Sequence, residues 1–204
     1  MQRAVLFDFG GVFFKTTDYT PRHKWDERLG LPHGSVEATV HGSASWNQAQ
    51  RGEIEVNVYW RDVAQQLGLP LEVVTEQLAT DFYSGDKLDA QLVATANNLR
   101  ERGHTVALLS NDCADLLRPR LEQLGITDLF DPLVISSELG VMKPNADAYQ
   151  RTLEQLGRPA EEVIFIDDRA ENIEGAEAVG LHGVLYHDGL DLMPILETLL
   201  TVSH

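Results

Sequence analysis

Five short apolar runs, at residues 4–9, 105–109, 133–135, 163–166 and 183–186, carry almost no polar positions inside them. That pattern predicts strands buried on both faces, as in a parallel sheet. Residues 88–102, 114–124, 146–156 and 170–179 instead place apolar residues at helical spacing. Each is followed at once by a glycine, Gly103, Gly125, Gly157 or Gly180, the residue best suited to close a helix. Strands alternating with helices predict an α/β fold with an open, doubly wound, Rossmann-like parallel sheet.

The alternation lapses between about residues 16 and 86. No convincing strand pattern occurs there, but 56–67 and 71–82 read as amphipathic helices. The expected organisation is therefore a core of residues 1–15 and 87–204, interrupted after its first strand by an all-helical module at 16–86. Such a module would overhang the carboxyl ends of the strands, where open α/β sheets bind ligands.

Charge and cysteine content narrow the partners. The 16 Lys and Arg against 32 Asp and Glu leave a formal charge of -16, which disfavours nucleic acids and anionic membranes. A phosphorylated small molecule would be repelled as well, unless a local cation neutralised it. Cys113 is the only cysteine, so no internal disulfide or Cys-based metal spacing exists, which points to a reducing, cytoplasmic setting. The apolar N-terminal stretch contains Asp8 and lacks a basic flank and a small-residue cleavage site, so it reads as a buried strand and not as a signal peptide. No run approaches the ~20 apolar residues of a membrane span. Nothing in the sequence defines an oligomeric state.

Chemistry-bearing residues gather where the strands end. Asp8 closes the first strand before Gly10 and Gly11, either aimed into the crevice or capping the turn. Ser110, Asn111 and Asp112 follow the second core strand, where a hydroxyl beside helical N–H groups suits a phosphate or serves as an ordinary cap. Lys143 precedes Pro144, whose fixed backbone would hold it at the sheet edge. The strongest signal is Asp167-Asp168 at the end of an apolar strand. Adjacent carboxylates there repel and lose hydration unless a cation or a hydrogen-bond donor compensates, and oxygen ligands of this kind suit Mg²⁺. Helix capping by Asp168 would account for only one of the two acids.

In order along the chain, DFGGV at Asp8, LLSN at Ser110, GVMKPNADAY at Lys143 and IFIDDRAENIEGA at Asp167 and Asp168 resemble the four motifs of the haloacid dehalogenase superfamily. The helical insertion resembles that superfamily's cap, and the whole is similar to bacterial glucose-1-phosphate phosphatase-like members and to the N-terminal phosphatase domain of epoxide hydrolases. The resemblance implies that Asp8 is a nucleophile forming an aspartyl-phosphate. It implies that Ser110 and Lys143 hold the phosphoryl oxygens, with Gly11 and Asn111 also at the substrate. Mg²⁺ would bind Asp8, the carbonyl of Gly10 and Asp168, with Asp167 and Asn172 supporting from behind. In the cap, Trp46, Arg51 and Glu53 occupy the position of a specificity segment, and His23, His33 and His41 are candidate proton donors.

One position departs from the pattern. Most phosphatases of the superfamily carry a second Asp two residues after the nucleophile, as general acid and base, and here that residue is Gly10. General acid-base catalysis is typically worth about 10²–10⁴-fold, or roughly 3 to 5 kcal/mol of barrier. The alternatives are a metal-independent dehalogenase, which usually has small polar residues in place of Asp167 and Asp168, and a non-catalytic phosphometabolite-binding protein. The retained nucleophile, lysine and acid pair favour the phosphatase, acting on a small phosphorylated metabolite such as a sugar phosphate.

Overall fold

A computed structural model of the chain describes residues 3–201. The first strand, β1 (Ala4–Phe7), is fully buried, and its side chains alternate between two packed faces. Val5 and Phe7 join one apolar cluster, Ala4 and Leu6 another. A turn then leads to β2 (Phe14–Thr16), from which the chain enters six helical segments. These are α1 (Thr20–Leu29), α2 (Ser35–Gly42), α3 (Ala44–Gln50), α4 (Val56–Leu67), α5 (Leu71–Val73) and, after a π-helical turn at Val74–Leu78, α6 (Ala79–Ser84). The chain returns through β3 (Asp86–Leu88), antiparallel to β2 with Phe14 opposite Leu88 and Thr16 opposite Asp86.

The remainder alternates as the pattern predicts: α7 (Ala90–Glu101), β4 (Thr105–Ser110), α8 (Ala114–Leu124), β5 (Leu133–Ile135), α9 (Ser136–Leu139), α10 (Ala146–Leu156), β6 (Val163–Asp167), α11 (Ala170–Ala178), β7 (His182–Leu185) and α12 (Leu192–Thr201). The main sheet runs β5-β4-β1-β6-β7, and every neighbouring pair is parallel. Helices α7, α8 and α12 pack their apolar stripes on one face, and α10 and α11 on the other. Order reverses at β1, which lies between β4 and β6, so the carboxyl ends of these three strands border the crevice of the fold.

The inserted helices bury an apolar cluster of their own, built on Trp25, Val36, Val40, Trp46, Tyr59, Trp60, Val63, Leu78 and Phe82. The ribbon of β2 and β3 brings the two ends of this segment together. Its three-residue strands are too short for a period-2 pattern to stand out, so the sequence reading passes over them. Among the described residues no helix is long and apolar enough to cross a membrane.

Candidate active site

Asp8 lies one residue beyond β1, its N–H bonded to the carbonyl of Ile166 at 2.8 Å. A tight turn follows, in which Phe14 N–H donates to the Phe9 carbonyl and Gly11 N–H to that of Phe14, both at 3.0 Å. The turn leaves the Asp8 carboxylate buried at the floor of a crevice. Lys143 points its ammonium there, 2.7 Å from Asp8 Oδ1 and 2.7 Å from Asp167 Oδ2. Only 1% of its side chain is exposed, so the charge stays inside because two carboxylates flank it.

Asp167 is fully buried and saturated, accepting also from Asn172 Nδ2 and from the N–H of Arg169. Helix α11 is capped by Arg169 without any side-chain bond, so Asp168 is not a helix cap. Carboxylate oxygens of Asp8, Asp167 and Asp168 all lie within 4.8 Å of one another. Three acids around one ammonium leave surplus negative charge. Burial, with the charge of Asp167 next among the causes that raise it, pushes Asp8 up to about 7 against the opposing pull of Lys143. Asp168 is likewise raised, by burial and then by Asp167. Burial works against the charge of Lys143, but Asp8 and Asp167 more than offset it and hold the ammonium above its usual range. A compact oxygen cluster short of positive charge fits a hard divalent cation such as Mg²⁺.

Gly11 is required by that cluster. Its φ is 79°, and a Cβ built on it would stand 2.1 Å from Asp168 Oδ2. A Cβ on Gly10 would meet nothing within 4 Å.

Ser110 ends β4 buried, and its hydroxyl engages no other group among the described residues. Asn111 clamps the lysine loop, donating from Nδ2 to the Lys143 carbonyl and accepting the Lys143 N–H at Oδ1, both at 2.9 Å. The loop carries a cis Lys143–Pro144 peptide and feeds α10, capped by the Asn145 side chain. Both amide ends of Asn111 are thus spent on positioning Lys143.

Above the acids opens a cavity of about 600 Å³ that reaches up to the inserted helices. Trp46 lines it. Arg51 and Glu53 do not: the guanidinium binds the Glu53 carboxylate at 2.6 Å in the open, and the intervening Gly52 packs on the backbone of Ser137. Their opposite charges are satisfied by each other at the outer rim of α3.

Of the candidate proton donors, His23 and His33 stack together at 4.6 Å and do not line the cavity. His41 does, 3.1 Å from the Tyr83 hydroxyl, but burial and the charges of Arg22 and Arg120 depress it to about 3, so it is neutral near pH 7. Cys113 packs into the apolar cluster of the inserted helices with its thiol pushed up by burial.

The sequence reading misses Arg22, Asn47, Gln50 and Arg120 on the cavity wall and assigns no role to Asp112 there. Gln50 joins the insertion to the core, donating to the Asn111 carbonyl at 2.7 Å while its own carbonyl accepts from Ser136 Oγ at 2.6 Å. Arg120 left a trace in the pattern, as a charge set among the inward positions Leu117, Leu121 and Leu124 of α8.

Known proteins place the chain in a family. The family model for haloacid dehalogenase-like hydrolases matches residues 2–180. A sesquiterpene phosphatase of Aspergillus oryzae is 30% identical over 191 residues, covering 92% of this chain and 91% of its own. A ribulose-1,5-bisphosphate 5-phosphatase of Halopiger xanaduensis is 36% identical over 206 residues, covering 91% and 85%. In three dimensions, a haloacid dehalogenase family enzyme of Bacteroides thetaiotaomicron, solved with magnesium and inorganic phosphate, superposes with a TM-score of 0.79. It is 20% identical and covers 96% of this chain and 99% of its own, a likeness of fold.

Proposed function

The chain belongs to the haloacid dehalogenase-like hydrolases, and from that premise we propose that it is a Mg²⁺-dependent phosphomonoesterase that transfers the phosphoryl group of a small metabolite to Asp8. The observation that carries this reading is the cluster of Asp8, Asp167 and Asp168 around Lys143. One oxygen of Asp8 is held by the ammonium, which leaves the other to act on phosphorus. The carboxylate attacks phosphorus, the bond from phosphorus to the leaving oxygen breaks, and an acyl-phosphate forms on Asp8. Water then attacks the same phosphorus, releasing phosphate and restoring the carboxylate. Lys143 and Ser110 hold the equatorial oxygens, where charge must be balanced in the transition state. Asn111, Asp167 and Asn172 keep the lysine in place.

Asp8, the Gly10 carbonyl and Asp168 would hold the magnesium ion, which supplies positive charge to the phosphoryl group when bound. Asp167, which already accepts from Lys143, Asn172 and the N–H of Arg169, would support the site from behind. Residues 16–86 act as a cap over the core of 1–15 and 87–204, and the leaving group sits beneath it against Trp46. The polar lining of the cavity, with Asn47, Gln50 and Asp112, favours a hydroxylated leaving group such as a sugar. A cytoplasmic location agrees with the single, buried cysteine.

Dehalogenation is disfavoured because a metal-free reaction gives no reason for Asp168 to stand beside Asp8. Turnover of p-nitrophenyl phosphate should require Mg²⁺ and vanish in Asp8→Asn. Halide release from 2-haloacids in EDTA, with no phosphate release in Mg²⁺, would overturn the reading.

A further inference from the structure

Five cationic side chains line the cavity, and four are neutralised at short range. Lys15 pairs with Asp89 and Asp188, Arg22 with Glu37 and Asp86, Lys143 with Asp8 and Asp167, and Arg169 with Glu171. Arg120 alone has no ion pair among the described residues. It is held by aromatic rings instead, its guanidinium carbon 3.9 Å from the centroid of Tyr83 and 5.4 Å from that of Phe14. Stacking fixes the plane of the fork while leaving most of its five N–H donors unspent.

The nearby acids are otherwise engaged. Asp86 binds Arg22 at 2.9 Å, and Asp112 accepts the Cys113 N–H at 2.7 Å and lies beyond ion-pair distance of Arg120. The charge of Arg120 is felt at His41, Tyr83, Asp86 and Asp112, which together form the cap-facing part of the wall. A half-buried guanidinium with no carboxylate at ion-pair distance keeps donors free for a ligand, and a planar fork matches a carboxylate or phosphate.

Resting on the phosphatase reading, we infer that Arg120 forms a subsite for a second anionic group, a carboxylate or a further phosphate, on the part of the substrate that leaves. This group is recognised in addition to the phosphoryl group transferred at Asp8. Arg120 then sets specificity and takes no part in breaking the phosphorus–oxygen bond.

The test is a chain-length series of ω-carboxyalkyl phosphates, the matching alkanediol bisphosphates and the neutral ω-hydroxyalkyl phosphates, assayed with wild type, Arg120→Gln and Arg120→Lys. At its best length the wild type should favour an anionic member over its neutral counterpart by about ten- to a hundredfold in kcat/KM, the scale of a charge-assisted hydrogen bond. Arg120→Gln should remove that preference through KM, and Arg120→Lys should keep part of it. Whether the carboxylates or the bisphosphates lead identifies the anion. No anionic preference at any length, or an equal loss on anionic and neutral substrates in Arg120→Gln, would overturn the subsite while leaving the phosphatase reading intact. Failure of wild type on every phosphate, p-nitrophenyl phosphate included, would overturn both.

Discussion

Installing the missing acid as Gly10→Asp should speed hydrolysis most for the poorest leaving groups. A Cβ at position 10 meets no heavy atom within 4 Å, and the backbone there is not left-handed, so the side chain enters without steric strain. Three carboxylates stand close by, and their charge would raise the pKa of the new side chain, which favours the protonated form that an acid needs. A positioned proton donor is worth about 10²–10⁴-fold, roughly 3 to 5 kcal/mol of barrier. The assay is kcat/KM for wild type and variant across aryl phosphates of graded leaving-group acidity, an anomeric sugar phosphate and a sugar 6-phosphate. Wild type should depend steeply on leaving-group acidity and Gly10→Asp should flatten the slope, gaining most on the 6-phosphate. A flat wild-type series would refute the reasoning, because it would mean that a donor is already present. His41 is too depressed to serve. Asp112 on the cavity wall, which burial raises to about 6, would then be the candidate donor.

Gly11→Ala should behave oppositely to the change at its neighbour, since its Cβ would collide with Asp168 at 2.1 Å. A loss of at least about a hundredfold in activity, with weakened Mg²⁺ dependence, is expected from Mg²⁺ titrations, and near wild-type turnover would contradict it. Lys143→Met should destabilise by about 3–5 kcal/mol in urea unfolding with EDTA, because Asp8 and Asp167 lose their shared cation. The deficit should shrink as pH falls and the carboxyls are protonated. For Asp112, a folded pKa raised to about 6 from 3.8 means that the native state holds the extra proton between those values. That stability is complete below about pH 3.8 and is lost as pH rises through about 6, so wild type should lose about 1–3 kcal/mol relative to Asp112→Asn between pH 4 and 7. Parallel stability profiles for the two proteins would rule it out.

The strands and helices of the core were legible because burial on both faces strips polar residues from a strand, and because glycines mark the helix ends. Helices α8 and α10 begin and end where the pattern puts them, and the site acids were legible since a charge at the end of an apolar run needs an explanation. The ribbon of β2 and β3 was not, as six residues hold too little pattern. Nor was the wall of the cavity, because Arg22, Gln50 and Arg120 acquire meaning only from partners far along the chain. Arg51 and Glu53 occupied the expected segment, yet two residues' spacing let them satisfy each other. Periodicity reports which face is buried; it does not report which polar side chains find one another across an insertion.

Phosphoryl transfer to Asp8 is tested most directly by diffraction from crystals soaked with Mg²⁺ and beryllium fluoride, which mimics a phosphoryl group on a carboxylate. The account predicts a tetrahedral group bonded to the Asp8 carboxylate oxygen not held by Lys143, with a cation between it, the Gly10 carbonyl and Asp168. Density on another residue, or an unmodified Asp8 in crystals of a protein that turns over phosphate esters, would contradict it.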